Sequence, residues 1–252
     1  MRGLGTLINL VAVAVGGGIG LFAGDRLAER VRRTIMQGLG LVTLAVGIVG
    51  LEPLYHPDAG LRRFVVLIAG IILGGLAGEA LQLEDRLEGL AARLQQRWAR
   101  RSGAHDDPAE VEATSEHRFV EGFIVASTVF CAGPLTVLGS IEDGLGISIR
   151  SLAIKSALDF FAAIGFASVY GIGVLGSLLT ILVYQGGLTL AASLVEPLMT
   201  VEVIAQLGAV GSLLVLGIGL RLLDIARVRI VSLMPALLIG PAIAGVFEAA
   251  FI

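Results

Sequence analysis

The stretch GPLTVLGSIEDGLGISIRSLAIKSALDF, residues 133–160, holds the densest set of reactive side chains in the chain. It offers Thr136, Ser140, Glu142, Asp143, Lys155, Ser156 and Asp159. Lys155 and Asp159 are four residues apart, so a helix sets them on one face. In apolar surroundings such a pair can simply neutralise itself, which is the cheapest way to carry either charge. It can also bind an ion or carry a proton, Lys155 attracting an anion or Asp159 a cation. Gly133 and Pro134 precede the pair. Proline removes a backbone donor and frees a carbonyl, which in lipid survives only against protein or water. Glu142 and Asp143 are expected at the mouth of the site, where they concentrate cations or cap the following segment. Asn9, Gln185 and Cys131 are further polar residues in apolar runs. Taken alone, each of them is more often a satisfied interhelical hydrogen bond.

Enzyme chemistry finds no template here. The chain has no nucleophile elbow, no HExxH and no Walker lysine. GGGIG (16–20) is a glycine run inside an apolar segment and cannot cradle phosphate from a soluble loop. No catalytic residue, cofactor or metal site is therefore expected. His56, His105 and His117 all fall outside the apolar runs, and the last two, beside Asp106, Asp107 and Glu116, lack a ligand spacing. A single cysteine excludes an internal disulfide framework. No basic tract stands apart from the apolar segments, so nucleic acid is not expected as a partner.

The elements that position these residues follow from composition. The 252 residues are 56% hydrophobic and only 15% charged, with a formal net charge of −3. Mean hydropathy is +0.89. Too little polar surface exists to coat a soluble globule, and a bilayer removes that requirement. A span needs ~20 apolar residues. Windows occur at 5–24, 34–52, 62–82, 119–140, 149–169, 172–194, 205–223 and 230–250. The fold class is an all-α polytopic helix bundle, with eight transmembrane helices and seven as the rival. VYGIG (169–173) is all that separates the fifth and sixth windows. The chain forms one integral membrane domain over residues 1–252. Into it, between spans three and four, an amphipathic helix and an acidic linker are inserted at 83–117. Leu83, Leu87, Leu90, Leu94 and Trp98 keep helical spacing there, with charges on the other face.

Arginine counts orient the bundle. Twelve loop arginines (Arg26 to Arg33, Arg86 to Arg118, Arg227 and Arg229) gather on one face in the eight-span reading. Arg2, Arg62, Arg63 and Arg150 lie on the other. The 83–117 connection is then cytoplasmic and both termini are outside. A bacterial plasma (inner) membrane is the expected location.

Two glycine stripes frame the array. Gly16, Gly20 and Gly24 in GGGIGLFAGD match Gly70, Gly74 and Gly78 in GIILGGLAGE, and each stripe ends in an acid, Asp25 or Glu79. Residues four apart share a helix face, so each stripe is a groove for close helix packing. Asp25 is expected to pair with Arg26, and Glu79 with Arg86. GIGLRLLD (217–224) echoes GIGLFAGD (18–25). CAGPLTVLG (131–139) and LIGPAIAG (238–245) both place Gly-Pro in mid-span. These echoes point to internal repeats and to Gly-Pro-broken helices like those that frame transporter sites.

GTLINLVAVAVGGGIGLFAGDRL, LGGLAGEALQLEDRLEGL and FCAGPLTVLGSIEDGL…LAIKSALDFFAAIGFAS resemble the bacterial inner-membrane proteins of the YqgA/YdfK type. The resemblance runs over essentially the whole chain. Its most specific part holds Gly133, Pro134, Gly139, Ser140, Asp143, Gly144, Lys155, Ser156 and Asp159. It implies a polytopic inner-membrane protein of transporter type and leaves the substrate open. The expected function is transport of a small solute or ion by a secondary transporter or channel. Gly133, Pro134, Thr136, Ser140, Glu142, Asp143, Lys155, Ser156, Asp159, Asn9 and Gln185 are the binding candidates. The alternative is a non-transporting scaffold or subunit whose charges only pair. Its glycine seams would admit a homo-oligomer, and lipid is a partner in either case.

Overall fold

The computed structural model describes residues 2–24, 28–55, 60–86, 89, 109–131 and 134–251. Most of the predicted amphipathic helix and linker at 83–117 lies outside these residues, as do Asp25, Arg26, Gly133, His56 and His105. Among the described residues there are nine long helices and no strand. They are α1 (Leu4–Gly24), α2 (Glu29–Val49), α3 (Gly60–Ala80), α4 (Ala109–Cys131), α5 (Pro134–Leu145), α6 (Arg150–Tyr170), α7 (Gly173–Leu190), α8 (Val201–Leu222) and α9 (Ala236–Phe251). One-turn helices, Glu52–Tyr55 and Ile230–Leu233 among them, fill several connections.

Among the described residues seven segments are long and apolar enough to cross a membrane singly, and the α4–α5 pair is bent by 60° at its break. Packing directions decide whether that pair returns or traverses. Phe119 lies against Gly173 and Phe123 against Gly176. Ser127 bonds Thr180 at 3.0 Å, and Gly144 lies against the Thr189 carbonyl. Partners rise together along both chains, so α4 and α5 jointly follow the whole length of α7. The helices after the break agree. Gly16, Gly20 and Gly24 of α1 meet Phe160, Ile164 and Ser168 of α6 in order, so α1 and α6 are parallel. A re-entrant α4–α5 would have made them antiparallel. The pair is one broken traverse, the described residues make eight, and residues 2–4 share a face with the end of α9. That face is called here the termini face; the opposite one is the arginine face.

Both glycine stripes are helix seams. A Cβ on Gly24 would stand 2.6 Å from the Ser168 carbonyl oxygen, and one on Gly70 would stand 2.8 Å from the Gly240 Cα. Gly16, Gly20, Gly74 and Gly78 are closed in against backbone as tightly. The partners differ. The first stripe packs parallel on α6, and the second packs antiparallel on α9 and the turn before it, through Gly240, Ala236 and Ser232. In lipid, where apolar contact brings little extra drive, this close approach is what holds helices together.

The two Gly-Pro sites diverge. Between Cys131 and Pro134 the traverse breaks. Pro134 lacks the N–H that would reach the Phe130 carbonyl, and the Thr136 hydroxyl donates to that carbonyl instead, at 3.1 Å. Pro241, expected to break its span, sits inside α9. The interruption in that traverse falls earlier, at Met234–Pro235. Gly240 explains the difference: it presses on Gly70, and a break there would open that seam.

The helices form two groups. α1, α4–α5, α6 and α7 pack on one another, as do α2, α3, α8 and α9. α8 is the most buried helix and lies at the junction. Arg63 ties the second group together. Its guanidinium donates to Glu202 at 2.9 and 2.6 Å and to the Pro53 carbonyl at 2.7 Å, and Gln206 donates to its carbonyl at 2.9 Å. Arg63→Ala strands the Pro53 carbonyl and leaves Glu202 only the more exposed Arg62, at 3.8 Å. It is expected to cost about 2–3 kcal/mol, read as a lowered midpoint of thermal unfolding in detergent. Glu202→Gln keeps one acceptor and should cost less. On the arginine face, Glu79 pairs with Arg229 at 2.9 Å rather than with Arg86. The 221–232 segment folds back over the end of α3, and Arg229 reaches Asp85 there as well.

Candidate functional site

Lys155 and Asp159 lie where the break faces α1. Both are buried, at 5% and 6% exposure. Helix α6 sets them one turn apart, and the ammonium donates directly to the carboxylate. The Phe130 ring, in the last turn of α4, stands 6.0 Å from Lys155 Nζ, close enough for its face to attract the cation. Cys131 is buried beside both charges. The Asn9 side chain of α1 lies against the Asp159 carboxylate.

From Asn9 a file of hydrogen bonds runs toward the termini face. Asn9 Nδ2 donates to Gln185 Oε1 at 3.0 Å, and Gln185 Nε2 donates to Thr6 Oγ1 at 3.2 Å. The Thr6 and Thr189 hydroxyls share a 3.0 Å bond. The Thr6 backbone N–H donates to Asp143 Oδ2 at 3.3 Å. Asp143 is 1% exposed and lines a cavity of about 340 Å³ with Leu4, Gly146, Ile147, Ser148 and Ile149. Toward the arginine face, Ser127, Thr128 and Thr180 line a second cavity of about 330 Å³ with apolar walls. The Lys155–Asp159 pair lies between the two, and neither cavity is lined by it.

Spare bonding capacity is found at this pair, as it is at Asp143 Oδ1, Gln206 Oε1 and Ser232 Oγ. Among the described residues Lys155 donates to Asp159 and to nothing else, although an ammonium has three donors. Asn9 Oδ1 is fully buried with no partner. Buried polar groups of a purely structural network are normally satisfied.

The remaining candidates have other tasks. Thr136 repairs the break, and the Ser140 hydroxyl donates to the Thr136 carbonyl. Ser156 donates to the Leu152 carbonyl at 2.6 Å. Glu142 accepts from Ser151 at 2.7 Å, which fastens the end of α5 to the start of α6. Gly133 lies outside the described residues, and Pro134 begins α5. Thr6 and Thr189 were missed in the sequence. Their spacing carried the signal: Thr6 is three residues from Asn9, and Thr189 four from Gln185, so each shares its neighbour's helix face. Ser127 and Thr180, in different helices, had no such signal.

The family described as "Protein of unknown function (DUF554)" matches residues 4–245. The chain belongs to this family. It is 32% identical over 250 residues to "Uncharacterized protein YqgA" of Escherichia coli (strain K12), covering 98% of this chain and 99% of that relative. It is 28% identical over 245 residues to "Uncharacterized membrane protein YdfK" of Bacillus subtilis (strain 168), covering 97% of each. No solved structure matches. Membership and the apolar helices together make the chain a polytopic membrane protein.

Proposed function

We propose that this protein carries a small solute or ion across a bacterial plasma membrane, without enzymatic chemistry, through the group formed by α1, α4–α5, α6 and α7. The observation that carries the reading is the unused bonding capacity of Lys155 and Asn9 at a buried ion pair. It supports binding, because a ligand with both donors and acceptors would satisfy groups that the protein leaves open. The polar file and the cavity at Asp143 supply an approach from the termini face. Broken helices beside such a site recur in transporters, where freed backbone groups meet the substrate. The repeated glycine stripes belong to this proposal as traces of duplication.

One observation favours the scaffold reading. Lys155 and Asp159 are in direct contact, and a closed pair is what self-neutralisation requires. Uptake separates the two. Purified protein in lipid vesicles, screened against inorganic ions and small metabolites, should accumulate at least one class over protein-free vesicles. No uptake by folded protein in any class would favour the scaffold.

The arginine face is proposed to be cytoplasmic, on the excess of arginines in its loops. Ala226 is exposed on that face. A cysteine there, in a Cys131→Ala background, should resist membrane-impermeant thiol reagents in intact cells and react after lysis. Ready labelling of intact cells would reverse the orientation.

A further inference from the structure

Asp143 is the one carboxylate among the described residues with a fully buried oxygen that has no partner. Its Oδ2 accepts from the Thr6 N–H, one of the free donors at the start of α1. That end of a helix favours negative charge. Its Oδ1 is buried and unsatisfied. No lysine or arginine pairs with Asp143 among the described residues: Arg2 lies over Gly146, and Lys155 is engaged by Asp159. A buried anion without a counter-charge is costly.

The surroundings suit a cation. The cavity at Asp143 is walled by residues 146–149, directly after α5 ends. Of the carbonyls that end α5, those of Glu142 and Asp143 accept from the Ile147 and Gly146 N–H groups, and the carbonyls at this end of a helix are partly negative with a lone pair to spare. Ser148 adds a hydroxyl that accepts from the Arg150 N–H at 3.1 Å and keeps a free lone pair. Carboxylate, carbonyl and hydroxyl are hard oxygen donors. Only one carboxylate is free, since Glu142 is taken up by Ser151. A single negative charge matches a monovalent cation better than a divalent one, which gathers several carboxylates.

We propose that Asp143 binds a monovalent metal cation, of which sodium is the probe, entering from the termini face. This rests on the transport reading only in making that cation the coupling ion; its binding is separate. The hydrogen-bonded file through Thr6, Thr189, Gln185 and Asn9 then connects the cation to the Lys155–Asp159 pair, about two helical turns deeper along α6.

Thermal unfolding of the purified protein tests binding without transport. Replacing choline chloride by sodium chloride at equal ionic strength and pH should raise the wild-type midpoint by about 2–4 °C. Asp143→Asn should lose that shift. Ser148→Ala, a milder change, should reduce it. Asp159→Asn should keep it. A wild-type protein indifferent to sodium overturns the proposal, and so does an undiminished shift in both Asp143→Asn and Ser148→Ala. Stabilisation by acid alone, with no response to sodium, overturns it in favour of a proton. Failure of uptake with the sodium shift intact removes the transport reading and leaves the site.

Discussion

Asp159→Asn is expected to fold with a lowered unfolding midpoint, because Lys155 loses its counter-charge, to reach the membrane and to abolish uptake of the native substrate. The amide keeps the size and much of the hydrogen bonding of the carboxylate and removes its charge. Cruder variants separate pairing from transport. Lys155→Met leaves Asp159 buried without its cation, and Asp159→Leu leaves Lys155 buried without its anion. Breaking a buried pair from one side costs about 3–5 kcal/mol, so each should unfold at a much lower temperature. The double variant Lys155→Met/Asp159→Leu places two apolar side chains where the pair stood and should recover most of the stability. If the pair only neutralises itself, any cellular phenotype recovers with it. If the pair carries the substrate, the double variant folds and stays inactive. Full uptake by a well-folded Asp159→Asn protein would end a charge-based role for Asp159.

The second large effect is at the seams. Gly20→Leu and Gly78→Leu should each destabilise the bundle by about 3 kcal/mol or more, at or beyond the upper end for overpacking. The obstacle is backbone: the Ile164 carbonyl faces Gly20, and the Ser232 carbonyl faces Gly78. A flexible side chain could rotate away, whereas a carbonyl in a packed helix cannot move without its helix. Gly18 provides the contrast within the same run. Nothing lies within 4 Å of a Cβ built there, so Gly18→Ala should be neutral or slightly stabilising through helix propensity. Melting temperature and the yield of folded protein in detergent measure all three. Equal tolerance of Gly18→Ala and Gly20→Leu would remove the seam argument.

The sequence by itself determined the class. A chain that is 56% hydrophobic and 15% charged has no soluble solution, and ~20-residue apolar windows leave helices as the only spanning element in a chain of this pattern. It also marked the seams, because a four-residue glycine period survives into the helix as a face. Lys155 and Asp159 were legible together for the same reason. Tertiary structure decided everything that joins one helix to another. The two similar stripes meet different partners in opposite directions, a matter of bundle arrangement that helical period does not encode. Both Gly-Pro pairs look alike in the sequence, yet only the first breaks its helix. There Thr136 is placed to take over the Phe130 carbonyl, while Gly240 is committed to Gly70. The count of eight traverses came from partner order along α7 and α6, not from hydropathy. The file from Asp143 to Asn9 joins side chains as many as 183 residues apart. No local pattern predicts such bonds, because they exist only once α1 has packed between α6 and α7.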